Sequence, residues 1–488
     1  MKPFANLLGP LAGIILGYVS WHFSEEIRIG SMVGITVWMA IWWITEAVPL
    51  AVTSMIPVFA FPMTGLMSTS EVASVYMNDV LFLFIGGFII SFAMERWNLH
   101  KRIALNIILK IGSDGGKILL GLMLCSYAIS MWISNTATTM MLIPTTLAII
   151  DKINNLKFSN SENIAKALLI GIAYASSIGG VATIVGTPTN MIFMSYYGLM
   201  YPTEEPINFF KWFVFAVPVT LLMLAITFYV LKFMYLRTSN FQHIKMSNNI
   251  FSEELKTMGK ISFEEKTIGF LFGVLVLLWF TRADLVLGDF TLKGWSNFFS
   301  DPKYIQDGAI AVFVASLLFI IPSKKGRDVL ITWEYVKKLP YSVILLFGGG
   351  FALAKGFSDS GLTNWLAENL FFLKEYHPIV IVMLVCLLIT FISEIASNMA
   401  TIQLILPVLS AMAISTGINP LLIMIPGTLA ASYAFMMPVG TAPNTIVFGS
   451  EKLKTMDMVR PGLILNFAGI VIITLAMFTI GKFVFGIR

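Results

Sequence analysis

From Ile118 to Ile150 not one Asp, Glu, Lys, Arg or His interrupts the chain, and the same holds from Ala167 to Met200. Between Pro378 and Ser450 only Glu394 does. A water-soluble globule needs charged groups to cover its surface. The hydrocarbon core of a bilayer excludes them, because one charged side chain at its centre costs roughly 2.5–3.5 kcal/mol on insertion scales. The 488 residues are 57% hydrophobic and 12% charged, where soluble domains carry about 25% charge. The mean hydropathy is +0.82. The chain therefore reads as a multi-span membrane protein with the lipid bilayer as its solvent. A soluble enzyme and a disordered chain are excluded. A net charge of +5 is no nucleic-acid footprint, because Lys and Arg fall in short loops rather than on one face.

Redox, haem and zinc chemistry lack ligands. Cys125 and Cys386 both sit inside apolar runs, and His22, His100, His243 and His377 lie far apart. The apolar stretch Phe4 to Val19 lacks a small-x-small cleavage site and is read as a retained helix. Further spans follow to residue 486, some too short to cross alone. The segments 137–150, 187–199 and 400–416 are expected as half-helices, since Pro and Gly recur at their junctions. Two Gly-rich segments, Phe84-Ile85-Gly86-Gly87-Phe88 and Phe347-Gly348-Gly349-Gly350-Phe351, open the candidate helical hairpins 80–98 and 341–362. The polar stretch 236–266 mixes charge signs and reads as a partly helical connector at the membrane face.

One offset recurs. Phe88, Leu99, Ser130, Ser134-Asn135, Ala137-Thr138 and Pro144 return 263 residues later as Phe351, Leu362, Ser393, Ser397-Asn398, Ala400-Thr401 and Pro407. A second signature, Gly186-Thr187-Pro188-Thr189-Asn190, returns 254 residues later as Gly440-Thr441-Ala442-Pro443-Asn444. Membrane helices are rich in Ser, Ala, Gly and Thr for packing alone. Packing does not explain one order at one offset. The chain is a duplication, with repeat 1 over 1–235 and repeat 2 over 267–488. An odd number of crossings in the first half would invert the repeats.

The motifs sit where charge is absent and Ser, Thr and Asn are concentrated. A broken helix frees carbonyls on one side of the break and amides on the other. Carbonyls with Ser and Asn oxygens make a cage for a hard monovalent cation, and the freed amides favour an anion. Ser130 lies one helical turn before Ser134, as Ser393 does before Ser397. Two cages, one per repeat, would then flank an anion. No Arg or Lys is available there to neutralise it, so bound cations must. Glu46 and Glu394 are intramembrane carboxylates by position; capping a broken helix or pairing with a neighbouring span suits them better than proton transfer.

With these residues in view, the chain resembles the divalent-anion/sodium symporter family, carriers of dicarboxylates, citrate and sulfate. The resemblance spans nearly the whole chain. It rests on Trp43 to Leu50, both Gly-Gly-Phe segments, Ser134 to Thr138, Gly186 to Asn190, Ser397 to Thr401 and Pro438 to Asn444. It implies a homodimer whose protomers each hold a scaffold domain and a transport domain that moves as an elevator. It implies a first sodium site of Ser130, Ser134, Asn135 and the Gly186 backbone. A second would comprise Ser393, the Ala396 backbone, Asn398 and the Gly440 backbone. Substrate carboxylates would meet Asn135, Thr136, Thr187, Asn398 and Thr441, with Pro188 and Ala442 shaping the pocket. Met399 takes the third place of the second motif, where many relatives have Thr, and so bears on which anion is bound.

The expected fold is an all-α polytopic membrane protein built as an inverted repeat, with two re-entrant helical hairpins, broken transmembrane helices and elevator-type motion. The expected function is import of a small di- or tricarboxylate coupled to Na+ at two or more sites, in the cytoplasmic (inner) membrane of a bacterium. Alternatives on the same fold are a dicarboxylate exchanger and a sodium/sulfate symporter. An intramembrane enzyme would need a catalytic pair that the sequence does not offer.

Overall fold

A backbone in hydrocarbon must satisfy its own N–H and C=O groups, and a helix does so within one segment. A computed structural model describes residues 2–112, 115–155, 160–237, 249–287, 290–326 and 328–487. Eight helices among the described residues are long and apolar enough to span a bilayer.

The first half opens with α1 (Lys2–Ser24) and α2 (Ile27–Thr45), which pack along one another. Short helices α3 (Leu50–Thr53), α4 (Ile56–Met63) and α5 (Thr69–Tyr76) lead into α6 (Asp79–Arg96) and α7 (Leu99–Ile111). Then come α8 (Gly115–Ser130), α9 (Asn135–Asn155), α10 (Ser161–Val181), α11 (Pro188–Met200) and α12 (Phe209–Leu231). The connector contributes α13 (Asn249–Thr257); its residues 238–248 lie outside the described ones.

The second half holds α14 (Phe263–Thr281), α15 (Asp307–Leu317), α16 (Trp333–Val336), α17 (Tyr341–Asp359) and α18 (Leu362–Asn369). After them run α19 (Pro378–Ser393), α20 (Asn398–Thr416), α21 (Leu421–Ser432), α22 (Ala442–Phe448), α23 (Thr455–Ala476) and α24 (Lys482–Phe485). The described residues also include a small antiparallel pair, β1 (Leu285–Leu287) and β2 (Phe290–Leu292). Helix α14 starts inside the expected connector because Ser262 and Glu265 form a capping box there.

The sequence repeat is also a repeat of elements. Helices α8 and α19 end at Ser130 and Ser393, and α9 and α20 begin at Asn135 and Asn398. Even an irregularity recurs: α12 and α23 each run directly into a π-helical turn, Lys232–Leu236 and Met477–Gly481.

The hairpins differ from expectation. Segments 80–98 and 341–362 are not hairpins; each forms one main helix, α6 or α17, that runs through its glycines. The glycines are crossing points. A Cβ built on Gly86 would lie 2.6 Å from Ala311 of α15, and one on Gly349 would lie 2.6 Å from Ser54. A bare backbone lets membrane helices approach this closely. The helix–turn–helix units are instead α8–α9 and α19–α20, with Ser-Asn motifs at tips 131–134 and 394–397. Consequently 137–150 and 400–416 are the second arms of these units and not separate half-helices. The 187–199 half-helix is present as α11.

The crossings interlock the halves. Helix α6 of repeat 1 packs on α15 of repeat 2, while α17 of repeat 2 packs on α3, α4 and α5 of repeat 1. Two apolar cores result. The smaller joins Met32, Met39, Trp43, Phe61 and Val72 to Leu346, Leu353 and Phe357. The larger runs through the remaining helices around Phe193, Trp212, Phe347 and Tyr433.

Gly86→Val and Gly349→Val should each destabilise the protein by about 1–3 kcal/mol, the cost of overpacking a close crossing. Gly273→Val, where an added Cβ meets nothing within 4 Å, should change little. Thermal unfolding in detergent measures all three.

Candidate substrate and cation site

Two helices are interrupted in mid-path. Helix α10 stops at Val181 and α11 resumes at Pro188; α21 stops at Ser432 and α22 resumes at Ala442. Each break exposes backbone groups that need partners, at roughly 1–3 kcal/mol for every one left unpaired. Side chains supply them in parallel ways. Asn190 Nδ2 donates to the carbonyls of Val181 and Thr183 at 3.1 and 2.8 Å. Asn444 Nδ2 donates to those of Ala434 and Met437, both at 3.1 Å. Trp212 Nε1 donates to Val181 O at 3.1 Å, and the Tyr174 hydroxyl donates to the carbonyls of Phe435 and Met458. Thr189 and Ser432 share a hydroxyl hydrogen bond of 2.6 Å that ties one break to the other.

The two tips and the two breaks line one cavity of about 640 Å3, within the usual range of small-molecule sites, about 300–1,000 Å3. Its lining contains all eight residues expected to meet substrate: Asn135, Thr136, Thr187, Pro188, Asn398, Met399, Thr441 and Ala442. Ser134, Gly186, Ala396 and Gly440 line it too. The lining also includes Thr45 at the end of α2 and Glu46 just after it, Phe88 of α6, and Pro340 and Val343 at the start of α17. Glu46 is the ionisable side chain among the lining residues. It is exposed and caps α2 in the left-handed region, at φ 47°. The chain turn after α2 puts this carboxylate at the cavity wall.

Ser130 and Ser393 do not line the cavity; both are fully buried behind the tips. Their surroundings differ. Ser130 Oγ donates to Asn135 Oδ1 at 2.6 Å and shares a 3.2 Å hydrogen bond with Ser176 Oγ. Ser393 Oγ donates back to its own helix, to Thr390 O at 2.9 Å. Asn398 Oδ1 is left buried without a partner. That orphaned oxygen is what a cation cage offers to an ion. In repeat 1, Gly180 crowds the Asn: a built Cβ would fall 2.3 Å from Asn135 Oδ1. Glu394 is 3% exposed, and Met436 N–H, Met437 N–H and Asn466 Nδ2 all donate to its carboxylate. It caps the second break, the role preferred for it above proton transfer.

Sequence reasoning passed over several of these groups. Ser176 also donates to the Asn135 carbonyl at 2.9 Å, and Ser177 and Ser432 line the cavity. No periodic signal marks them. Asn190 and Asn444 did carry a signal, since each closes its repeat's Gly-Thr motif.

Chemically the cavity suits a small anion and hard cations. Four helices begin at its wall: α9 at Asn135, α11 at Pro188, α20 at Asn398 and α22 at Ala442. Helix N-termini present free amides and the positive end of the backbone dipole. No Lys or Arg is among the lining residues.

A family model described as the sodium:sulfate symporter transmembrane region matches residues 26–487. The chain is 41% identical to a sodium-dependent dicarboxylate transporter, SdcS, of Staphylococcus saprophyticus, covering 99% of this chain and 92% of the relative. To SdcS of Staphylococcus aureus it is 40% identical, covering 100% and 94%. Among solved structures, Neisseria gonorrhoeae MtrF, from a class of antimetabolite efflux pumps, superposes with a TM-score of 0.57 at 14% identity, over 85% of this chain and 84% of that one. The Alcanivorax borkumensis YdaH transporter gives 0.54 at 14% identity, over 83% and 85%. Both speak to fold alone.

Gly180→Ala should lower uptake of a labelled substrate about 10-fold or more, because its Cβ displaces the Asn135 side chain, a buried polar partner worth ~1–3 kcal/mol. Gly198→Ala, whose Cβ meets nothing within 4 Å, should leave uptake unchanged.

Proposed function

The chain belongs to the sodium:sulfate symporter family, and from that premise we propose that it is a secondary active carrier importing a small di- or tricarboxylate together with sodium. The observation that carries this reading is the meeting of three helix N-termini, those of α9, α11 and α20, at one cavity whose lining lacks Lys and Arg. Amides hold the carboxylates and set their orientation. Sodium ions compensate the remaining charge, since a buried dianion without counter-charge is expensive. Relatives that align over nearly the full chain are sodium-dependent dicarboxylate transporters, which favours a dicarboxylate over sulfate and a carrier over an enzyme.

Ser134, Asn135 and the Gly186 carbonyl form the first sodium site, with Ser130 behind them. Ala396 O, Asn398 and the Gly440 carbonyl form the second, with Ser393 behind. Asn135 and Asn398 each serve a cation and the anion at once, joined at the anion by Thr136, Thr187 and Thr441. Pro188 and Ala442 shape the pocket, and Met399 fills the side opposite Thr136.

The carrier works as a homodimer of inverted repeats in a bacterial cytoplasmic membrane. Its tips and breaks move as one transport domain past a scaffold. In support, the first break faces two ways. Val185 to Thr189 line the cavity described above, while Ile184 lines a second one, of about 610 Å3, together with Asn78, Asp79, Ser195, Arg282 and Asp307. A loop that borders a cavity on either side suits a carrier that opens its site to each face in turn.

Uptake of labelled succinate, citrate and sulfate into proteoliposomes tests the reading. A sodium gradient should drive accumulation of succinate, and lithium should replace sodium poorly. Equal accumulation without sodium, under an imposed proton gradient, would sink it; exchange needing no cation would favour an exchanger.

Asn135→Ala and Asn398→Ala should each cut substrate affinity about 5- to 100-fold in a folded protein, for the loss of one buried polar partner. Met399→Thr should alter the preferred anion and not transport itself. A hydrogen bond to a charged group is worth ~1.5–3 kcal/mol, enough to reorder a competition series of succinate, malate, citrate, 2-oxoglutarate and sulfate by about 10-fold.

A further inference from the structure

Each break is tied to its neighbouring hairpin tip, but the two ties differ in charge. In repeat 1 the tie is neutral. The Thr183 hydroxyl donates to the backbone carbonyl of Met131, and Gly186 N–H donates to Thr183 Oγ1 at 3.1 Å. In repeat 2 the residue 263 positions beyond Met131 is Glu394. Here the break donates to a carboxylate: Met436 N–H to Oε1 and Met437 N–H to Oε2, both at 2.8 Å. Asn466 Nδ2 adds a third bond at 2.7 Å. None of the ion pairs among the described residues includes Glu394. Three donors hold this carboxylate while no cationic side chain neutralises it.

The position of this charge matters. A Cβ built on Gly440 would lie 3.2 Å from Glu394 Oε2, and Ala396 follows two residues after Glu394. Both belong to the proposed second cage. The unpartnered Asn398 Oδ1 is in that cage as well. The motifs of the first cage have no such neighbour along the chain, since Ile118–Ile150 and Ala167–Met200 hold no acid, and Glu46 stands exposed at the wall of the cavity that both cages share.

We propose that Glu394 is a positioning residue and fixed charge that makes the repeat-2 cage the stronger of two sodium sites, so that it fills before the neutral repeat-1 cage. This rests on the sodium-coupled reading above. Glu394 is not a ligand. It holds the Gly440 loop against the tip and lowers the potential where the ion sits. A fixed opposite charge within about 6 Å, at an effective dielectric constant of about 20–40, shifts cation affinity by roughly 10- to 100-fold.

The experiment is a sodium titration of purified protein, read by thermal stability without substrate and by succinate uptake in proteoliposomes. The wild type should show a tight and a weak sodium phase. Glu394→Gln should raise the sodium concentration for the tight phase about 10-fold or more. The KM for succinate at saturating sodium should stay within about 2-fold, a split that general loosening would not give. Ser134→Ala should weaken the other phase alone. Asn466→Leu removes one donor but keeps the charge, and its sodium dependence should match the wild type within about 3-fold. Should the Gln variant fail to fold, Glu394→Asp decides: charge retained predicts half-saturation within about 3-fold of wild type, and a larger loss overturns the proposal. Equal weakening by Glu394→Gln and Asn466→Leu, or an unchanged tight phase in Glu394→Gln, also overturns it. A wild type with no sodium dependence ends the sodium-coupled reading itself, and this inference with it.

Discussion

Inside a bilayer a helix is interrupted only where something else satisfies the backbone it releases. That constraint organises this molecule around residues 182–187 and 433–441. Asn190, Trp212 and Thr183 serve the first interruption; Asn444, Tyr174 and Glu394 serve the second. Apart from Thr183, which belongs to the first interruption itself, these side chains come from α10, α11, α12, α22 and the tip after α19. The apolar packing of those helices is therefore what keeps the interruptions paired. The larger core, with Trp212, Tyr174 and Phe435 inside it, is the support for an otherwise costly piece of backbone.

The same interruptions explain how a cavity without Lys or Arg suits an anion. Charge is delivered by main-chain amides and helix ends, which cannot swing away or be neutralised by a partner. An Arg would bind a carboxylate more strongly but would leave an uncompensated charge in hydrocarbon whenever the cavity emptied. A wall without Lys or Arg avoids that penalty.

Much of this was legible in the sequence. The duplicated Ser-Asn and Gly-Thr motifs, in segments almost free of charge, mark residues that line one cavity: Asn135, Thr136, Asn398 and Met399 from the first, Thr187, Pro188, Thr441 and Ala442 from the second. The Gly-rich segments misled because glycine in a membrane helix has two meanings, a turn or a close crossing, and only a neighbour in space separates them. Gly86 and Gly349 owe their place to Ala311 and Ser54, far away in the chain. Ser176 was invisible for the same reason: nothing along α10 says that its hydroxyl reaches the Asn135 carbonyl. Spacing also puts Ser130 and Ser393 in one class, while their hydroxyls differ: Ser130 donates across the tip to Asn135 Oδ1 and Ser393 donates back into its own helix, to Thr390 O.

The interlocking of α6 with α15 and of α17 with α3, α4 and α5 reaches beyond the finished structure. A ribosome delivers the chain from one end. When α6 enters the membrane, the surface that receives Gly86 has not been synthesised, and it appears more than 200 residues later. Until then the glycine face of α6 is covered by lipid or by the insertion machinery. The two halves cannot mature one after the other like beads. The first half waits in a provisional arrangement, and completion of α15 and α17 closes both crossings late in synthesis.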